Sequence, residues 1–183
     1  MTVADLALAE LLNSRIRDVP DYPKPGVLFK DIAPLLADAV AFAALTDALA
    51  GRAKALGATK VVGLEARGFV LAAPAAYAAG LGFVPIRKKG KLPGEVYGQS
   101  YELEYGSATL EVQCDAFVPG EKVLVVDDVL ATGGTLGASL DLVRRTGAEL
   151  AGVVVLMELG FLPGRERLTE HLGGAPLEAL VLV

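Results

Sequence analysis

A chain of 183 residues, 53% of them hydrophobic, is sized for one domain around one core. Its formal net charge of −5 argues against a nucleic-acid surface, and its single cysteine, Cys114, excludes an intramolecular disulfide and fits a reducing compartment. No apolar run approaches the ~18 residues of a membrane span, and the N-terminus lacks a cationic start, so a soluble, cytoplasmic protein is expected.

In chain order, Val3, Leu6, Ala7, Leu11 and Leu12 fall near helical spacing and predict a helix from Val3 to Arg17, stopped by Pro20. Asp21 to Gly26 is a Pro-rich turn, and Val27 to Ile32 a short extended piece. Asp38 is placed to cap a long Ala-rich helix that ends near Gly57. Lys60 to Leu64 reads as a buried strand, Phe69 to Ala79 as a helix with Pro74 inside it, and Gly82 to Arg87 as the next strand. Gly90 to Gly106 is polar, contains Gly and Pro, and reads as a loop or hairpin; Thr109 to Gln113 alternates like a strand arm, with Cys114 beyond it as a packing residue. Lys122 to Val126 forms a buried strand, Leu136 to Arg145 a helix, and Leu150 to Met157 another strand. A weaker helix follows from Gly164 to His171, then a last strand from Leu177 to Val183. Strands alternating with helices predict an α/β fold: a mostly parallel sheet with helices on both faces.

The run Lys122–Thr135 carries the most chemistry. An apolar strand ends in Asp127 and Asp128, and a loop of Ala131, Thr132, Gly133, Gly134 and Thr135 leads into a helix. The N–H groups of that loop lack intrahelical partners, and the helix dipole adds partial positive charge, which suits an anion. Glycines let the backbone approach a phosphate, and the two Thr hydroxyls add donors. Carboxylates repel phosphate, so Asp127 and Asp128 suit something else: vicinal ribose hydroxyls, with Mg2+ as a third party. Neither a Walker loop nor Gly-x-Gly-x-x-Gly is present. The combination reads as a site for a ribose 5-phosphate.

The other motifs are weaker alone. Glu65-Ala66-Arg67-Gly68 after a buried strand is either a turn with a solvated Arg or a phosphate grip through the planar guanidinium. Arg87, Lys88, Lys89 and Lys91 are either a solvated cluster or a second anion contact. The segment Gly94 to Gly106 is either an ordinary hairpin or a lid that keeps water from a reactive donor. His171, the single histidine, lies far in sequence from these motifs, so Ser–His or Cys–His catalysis is set aside.

The Asp127–Thr135 run resembles the phosphoribosyl pyrophosphate (PRPP) signature of type I phosphoribosyltransferases. Asp21–Ile32, Gly63–Phe69, Ile86–Gly94 and Tyr101–Gly106, in that order, are similar to the adenine phosphoribosyltransferase family, over a stretch from about Ile16 to Leu168. The resemblance implies a single domain over residues 1–183, with about 1–35 forming a hood over the base and about 87–108 a lid loop. It implies transfer of the phosphoribosyl group of Mg2+-PRPP to N9 of adenine, giving AMP and pyrophosphate with inversion at C1. By the same resemblance, Ala131 to Thr135 hold the 5-phosphate and Asp127 and Asp128 the ribose. Ala66, Arg67, Arg87, Lys88 and Lys91 meet pyrophosphate, with no direct protein ligand for the metal. Phe29 and Leu159 sandwich adenine, while backbone groups near Leu28 and Lys30 read its edge; the family usually carries Arg at position 30. Glu104 handles the purine proton, with Tyr105 beside it on the lid. A cis peptide is implied immediately before Arg67, and a homodimer in which Arg87 reaches the neighbouring site. The alternatives are a phosphoribosyltransferase for another purine, a PRPP-sensing regulator, and a generic nucleotide-binding subunit. The acidic charge and short chain weigh against a DNA-binding regulator.

Overall fold

The structure, a computed structural model, describes residues 2–102 and 106–183. The chain divides into two compact units, Met1–Ala48 and Leu49–Val183.

The first unit opens with helix α1 (Val3–Asn13), whose start is fixed by a reciprocal cap between Thr2 and Asp5. The helix stops four residues before the expected end at Arg17, because Arg17–Pro20 forms strand β1 instead. Strand β2 (Leu28–Asp31) pairs with it antiparallel, Arg17 opposite Asp31 and Pro20 opposite Leu28. Pro20 therefore ends a strand and not a helix, at a position where its missing N–H costs little. The connecting turn holds a cis Tyr22–Pro23 bond, and Asp21 Oδ1 accepts from Gly26 N at 2.8 Å. A short helix α2 (Ala33–Ala37), unforeseen from the sequence, precedes α3 (Ala39–Ala55). Asp38 caps α3 as expected, accepting from Val40 N and Ala41 N at 3.0 Å each.

The second unit is built on β3 (Lys60–Leu64), α4 (Arg67–Ala79), β4 (Gly82–Lys88), β5 (Val96–Glu102), β6 (Ser107–Gln113), β7 (Lys122–Leu130), α5 (Gly134–Arg145), β8 (Glu149–Glu158), the short turns of helix α6 (Gly164–Arg167) and α7 (Thr169–Leu172), and β9 (Leu177–Leu182). Among the described residues these strands form one seven-stranded sheet in the order β5-β6-β4-β3-β7-β8-β9. The five from β4 to β9 run parallel, while β5 and β6 form an antiparallel hairpin joined to β4. The polar segment read as a loop or hairpin is thus largely a hairpin.

Strand alternation sends Val62, Leu64, Val123 and Val125 into one buried cluster with Leu136, Leu140 and Val143 of α5. The opposite face receives α4, where a Cβ on Gly63 would lie 2.8 Å from the Ala72 Cβ and 2.9 Å from the Phe83 ring. Helices therefore cover both faces, as the buried, β-branched strands require. From β3 the chain crosses to β4 on one side, and from β7 to β8 on the other. Chain order reverses between β3 and β7, and open α/β sheets bind ligands beyond the carboxyl ends of strands at such a point.

Candidate active site

The acid pair lies inside β7, which continues to Leu130; the expected strand end at Val126 falls short by four residues. Its ladder with β8 persists through Asp127, opposite Val155, and Val129, opposite Met157. Both carboxylates are thereby fixed on rigid, buried backbone. Asp127 Oδ1 accepts from Asp128 N at 2.9 Å. Gly68, at the start of α4, makes room for it: a Cβ there would lie 2.8 Å from Asp127 Oδ1 and 3.1 Å from Val126 O. Asp128 Oδ2 is buried and accepts no hydrogen bond from the described residues, but lies 2.8 Å from Arg67 Nη2 as an ion contact. Burial pushes the Asp127 carboxyl well above the usual carboxylate range, with the negative charge of Asp128 adding to it. Burial raises Asp128 as well, opposed mainly by the positive charge of Arg67.

Beyond β7 the chain turns through Ala131–Gly133 into α5. Gly133 caps the helix at φ 84°, a left-handed conformation that favours glycine. A Cβ on Gly133 would meet Gly164 O at 2.9 Å, and one on Gly164 would collide with Ala131 O and Leu130. The loop therefore rests directly on the start of α6, glycine against glycine. A cavity of about 370 Å3 opens above it, lined by Glu65–Arg67, Lys88, Tyr101 and the run Asp127–Leu136. The predicted residues Ala66, Arg67, Lys88, Asp127, Asp128 and Ala131 to Thr135 thus meet in one place.

Arg87 and Lys91 are not among the described residues lining that cavity. Arg87 Nε and Nη2 donate to Glu65 at 3.2 and 3.4 Å, Nη1 donates to Lys91 O at 3.0 Å, and the guanidinium lies over the Phe69 ring. Glu65 also accepts from Lys88 N at 3.0 Å. Burial alone would raise Glu65, but these donors and the charges of Arg87 and Lys91 outweigh it and hold the carboxyl below its usual value. Glu111, another buried carboxylate, accepts from Gly90 N at 2.8 Å, so two acids shape the basic turn.

In the first unit, Leu28 is exposed and the Lys30 ammonium is tied to Asp18 at 2.7 Å. Phe29 packs edge-on against Tyr22, and the two line a concavity of about 290 Å3 with Val19 and Asp31. In the second, Leu159 is half-buried just past β8, its N–H donating to Leu130 O at 2.9 Å. Glu104 and Tyr105 lie outside the described residues. The cis peptide implied before Arg67 is present one bond earlier, between Glu65 and Ala66.

Residues 35–168 match the model of the phosphoribosyl transferase domain. The chain belongs to the phosphoribosyltransferase family. It is 69% identical over 176 residues to the adenine phosphoribosyltransferase of Streptomyces coelicolor, covering 96% of this chain and 97% of that one. The adenine phosphoribosyltransferase structure from Rhodothermus marinus matches with a TM-score of 0.89 at 44% identity, over 97% of this chain and 99% of that chain. The Saccharomyces cerevisiae enzyme, solved with an imino-altritol bisphosphate and adenine, matches with a TM-score of 0.89 at 39% identity, over 96% and 99%. The mixed α/β sheet agrees with these phosphoribosyltransferase neighbours.

Within this phosphoribosyltransferase fold, three contributors escaped the sequence reading. Tyr101 enters the cavity wall from β5, and Glu65 proves to be the partner of Arg87. His171, remote in sequence, packs against Gly137 of α5 and pairs with Asp141 at 3.0 Å, buttressing the helix that follows the glycine loop. Only the Glu65–Arg87 pairing had a usable signal, a carboxylate and a cation each ending a neighbouring parallel strand.

Proposed function

We propose that this phosphoribosyltransferase carries out purine salvage: it transfers the 5-phosphoribosyl group of PRPP to N9 of adenine and releases AMP and pyrophosphate. The observation that carries the reading is the meeting of a buried acid pair with a glycine phosphate loop in one cavity at the sheet's switch point.

The 5-phosphate is assigned to the N–H groups of Ala131 to Thr135 at the start of α5. The ribose 2- and 3-hydroxyls donate to Asp127 and Asp128, whose buried carboxylates belong to the wall of the same cavity. Arg67 and Lys88 receive the pyrophosphate charge, and Arg87 and Lys91 are proposed to join through the basic turn. The C1–O bond breaks, its electron pair leaving with pyrophosphate, while N9 of adenine bonds to C1 from the opposite face. Configuration at C1 is inverted, and Glu104 takes the proton lost from the purine. Asp127 and Asp128 are hard oxygen donors suited to Mg2+. Among the described residues no group of three or more His, Cys, Asp or Glu side chains is arranged as a metal cage. Mg2+ is proposed to arrive with PRPP, where it would neutralise charge on the leaving diphosphate. The protein itself provides orientation and fixed electrostatics.

For the base, Phe29 is proposed to stack on adenine and the Leu28–Lys30 backbone to read its edge, with Leu159 as an apolar contact. The segment of about residues 87–108, which includes β5, is proposed as the lid, and Tyr105 belongs to it in sequence. A homodimer and a cytoplasmic location complete the proposal; among the described residues no helix is long and apolar enough to cross a membrane. An assay of PRPP with adenine, hypoxanthine, guanine and xanthine tests the reading. The expected result is adenine consumed with equimolar AMP and pyrophosphate. PRPP binding without turnover of any base would replace the enzyme with a sensor.

A further inference from the structure

We propose that Tyr101 is a ligand of the 5-phosphate, its phenol donating to a phosphate oxygen beside the Thr135 hydroxyl. The inference rests on the phosphoribosyl-transfer reading and adds a residue from the hairpin to a phosphate site otherwise made by one loop and one helix start.

The placement begins with α5. Its last turn carries Arg145, whose Nη1 donates to Gly98 O at 2.6 Å and whose guanidinium lies 5.2 Å from the centre of the Tyr97 ring. This clamp fixes the middle of β5 against the C-terminal end of α5. Four residues along β5, alternation brings Tyr101 back to the face of Tyr97, and both rings pack on the same buried cluster. Tyr101 then lies over the N-terminal end of α5: a Cβ on Gly134 would be 3.5 Å from its Cδ2 and 3.6 Å from Glu102 O. Its hydroxyl is 3.4 Å from Thr135 Oγ1.

A half-buried phenol needs a partner for its O–H, and 3.4 Å is long for a bond between two hydroxyls. Both hydroxyls stand at a helix start that attracts anions, and both belong to the wall of the 370 Å3 cavity. An anion seated on the loop N–H groups accepts from both at once, which neither hydroxyl can do for the other. A phosphate monoester has enough lone pairs to take these two donors besides the backbone. A carboxylate in place of Tyr101 would repel it; a phenol, neutral and directional, does not. Because Tyr101 precedes Glu104 in the same run of chain, phosphate binding also anchors the strand that leads to the proposed proton acceptor.

Tyr101→Phe keeps the ring and removes the donor. Calorimetry with ribose 5-phosphate should show about tenfold or more weaker binding, the range for a hydrogen bond to a charged group, with inorganic pyrophosphate binding unchanged within twofold. Steady-state kinetics should show KM for PRPP rising more than kcat falls, and the melting temperature should stay at the wild-type value. Ribose 5-phosphate affinity within twofold of wild type, or equal losses for both ligands, would overturn the proposal. Thr135→Val provides the second arm. If each hydroxyl donates to the phosphate, Tyr101→Phe weakens ribose 5-phosphate further on that background; if Tyr101 only props Thr135, it adds nothing, and the proposal fails. A wild-type protein that binds ribose 5-phosphate but turns over no purine would sink phosphoribosyl transfer and leave the Tyr101 contact standing. Adenine turnover with an unaltered Tyr101→Phe affinity would remove the contact alone.

Discussion

Asp127 is a carboxyl that the fold buries beside a second acid. Its carboxyl is buried beside a second carboxylate and is raised well above its ordinary value. Between that ordinary value and the raised one, the folded chain holds a proton that the unfolded chain has released. The contribution of this group is therefore fully present at low pH and is lost as pH rises through the raised folded value. Asp127→Asn keeps the oxygen that accepts from Asp128 N–H and abolishes the charge. Thermal melts should show the variant more stable than wild type, with a larger gain at pH 8 than at pH 4; an equal gain at both would mean the carboxyl is not raised. Activity should move the other way, with kcat/KM down about ten- to a thousandfold, since charge-assisted bonds to ribose hydroxyls are worth ~1.5–3 kcal/mol and more in a dry transition state. Gly68 belongs to the same story. A methyl group at this position meets Asp127 Oδ1 and the Val126 carbonyl, so Gly68→Ala should cost about 1–3 kcal/mol in denaturant unfolding and lower activity by displacing the acid. The acid pair and the glycine loop were legible in the sequence because all their parts lie within a dozen residues. The need for a glycine at position 68 was not, because Asp127 lies 59 positions away in the chain and only folding brings the two together.

Among elements, α5 joins the glycine loop to the hairpin. Its N-terminal end carries Gly134 and Thr135 and its C-terminal end Arg145, and β5 touches both. Arg145→Ala should therefore lower stability by about 1 kcal/mol, the sum expected of an exposed cation–π contact and one hydrogen bond. It should also raise amide exchange in β5 while leaving β8 unchanged; hydrogen exchange by mass spectrometry measures both. Equal exchange in β5 for both proteins would show that the clamp is idle. The sequence revealed β3, β4, β7, β8 and β9 because parallel strands buried on both faces are written as continuous apolar runs. It misjudged α1, α2 and the end of β7, where periodicity is not the deciding signal. Four-residue β1 and five-residue α2 are too short to show a period, and β7 runs on through two acids that local pattern treats as a terminus. Pairing with β8 overrides that local preference.

At the scale of the molecule, the two units offer different chemistry. The second holds the buried acid pair, Arg67, Lys88 and the glycine loop that leads into α5, all of them in short contiguous motifs. The first offers β2, which has one partner strand among the described residues. Along an antiparallel pair, alternate residues turn both their N–H and C=O away from the partner, so the outer edge presents a donor and an acceptor side by side. Adenine carries the complement: a 6-amino donor beside an N1 acceptor. Hypoxanthine and guanine carry a 6-oxo acceptor beside an N1–H donor, which sets acceptor against acceptor and donor against donor. A mismatch of this kind leaves buried polar groups unpaired and discriminates by roughly 10⁴ or more. A cationic side chain could rescue a 6-oxo group, but the chain has no Lys after Lys122. Of Arg165 and Arg167, the two arginines that could serve instead, Arg165 is already held by Glu158, with Nη2 to Oε2 at 2.5 Å, which leaves Arg167. The Lys30 ammonium is held by Asp18. Adenine should therefore exceed each 6-oxopurine by at least a thousandfold in kcat/KM when the bases compete for limiting PRPP. A 6-oxopurine within tenfold of adenine would mean that the backbone edge of β2 does not read the base, and that selection rests on side chains elsewhere.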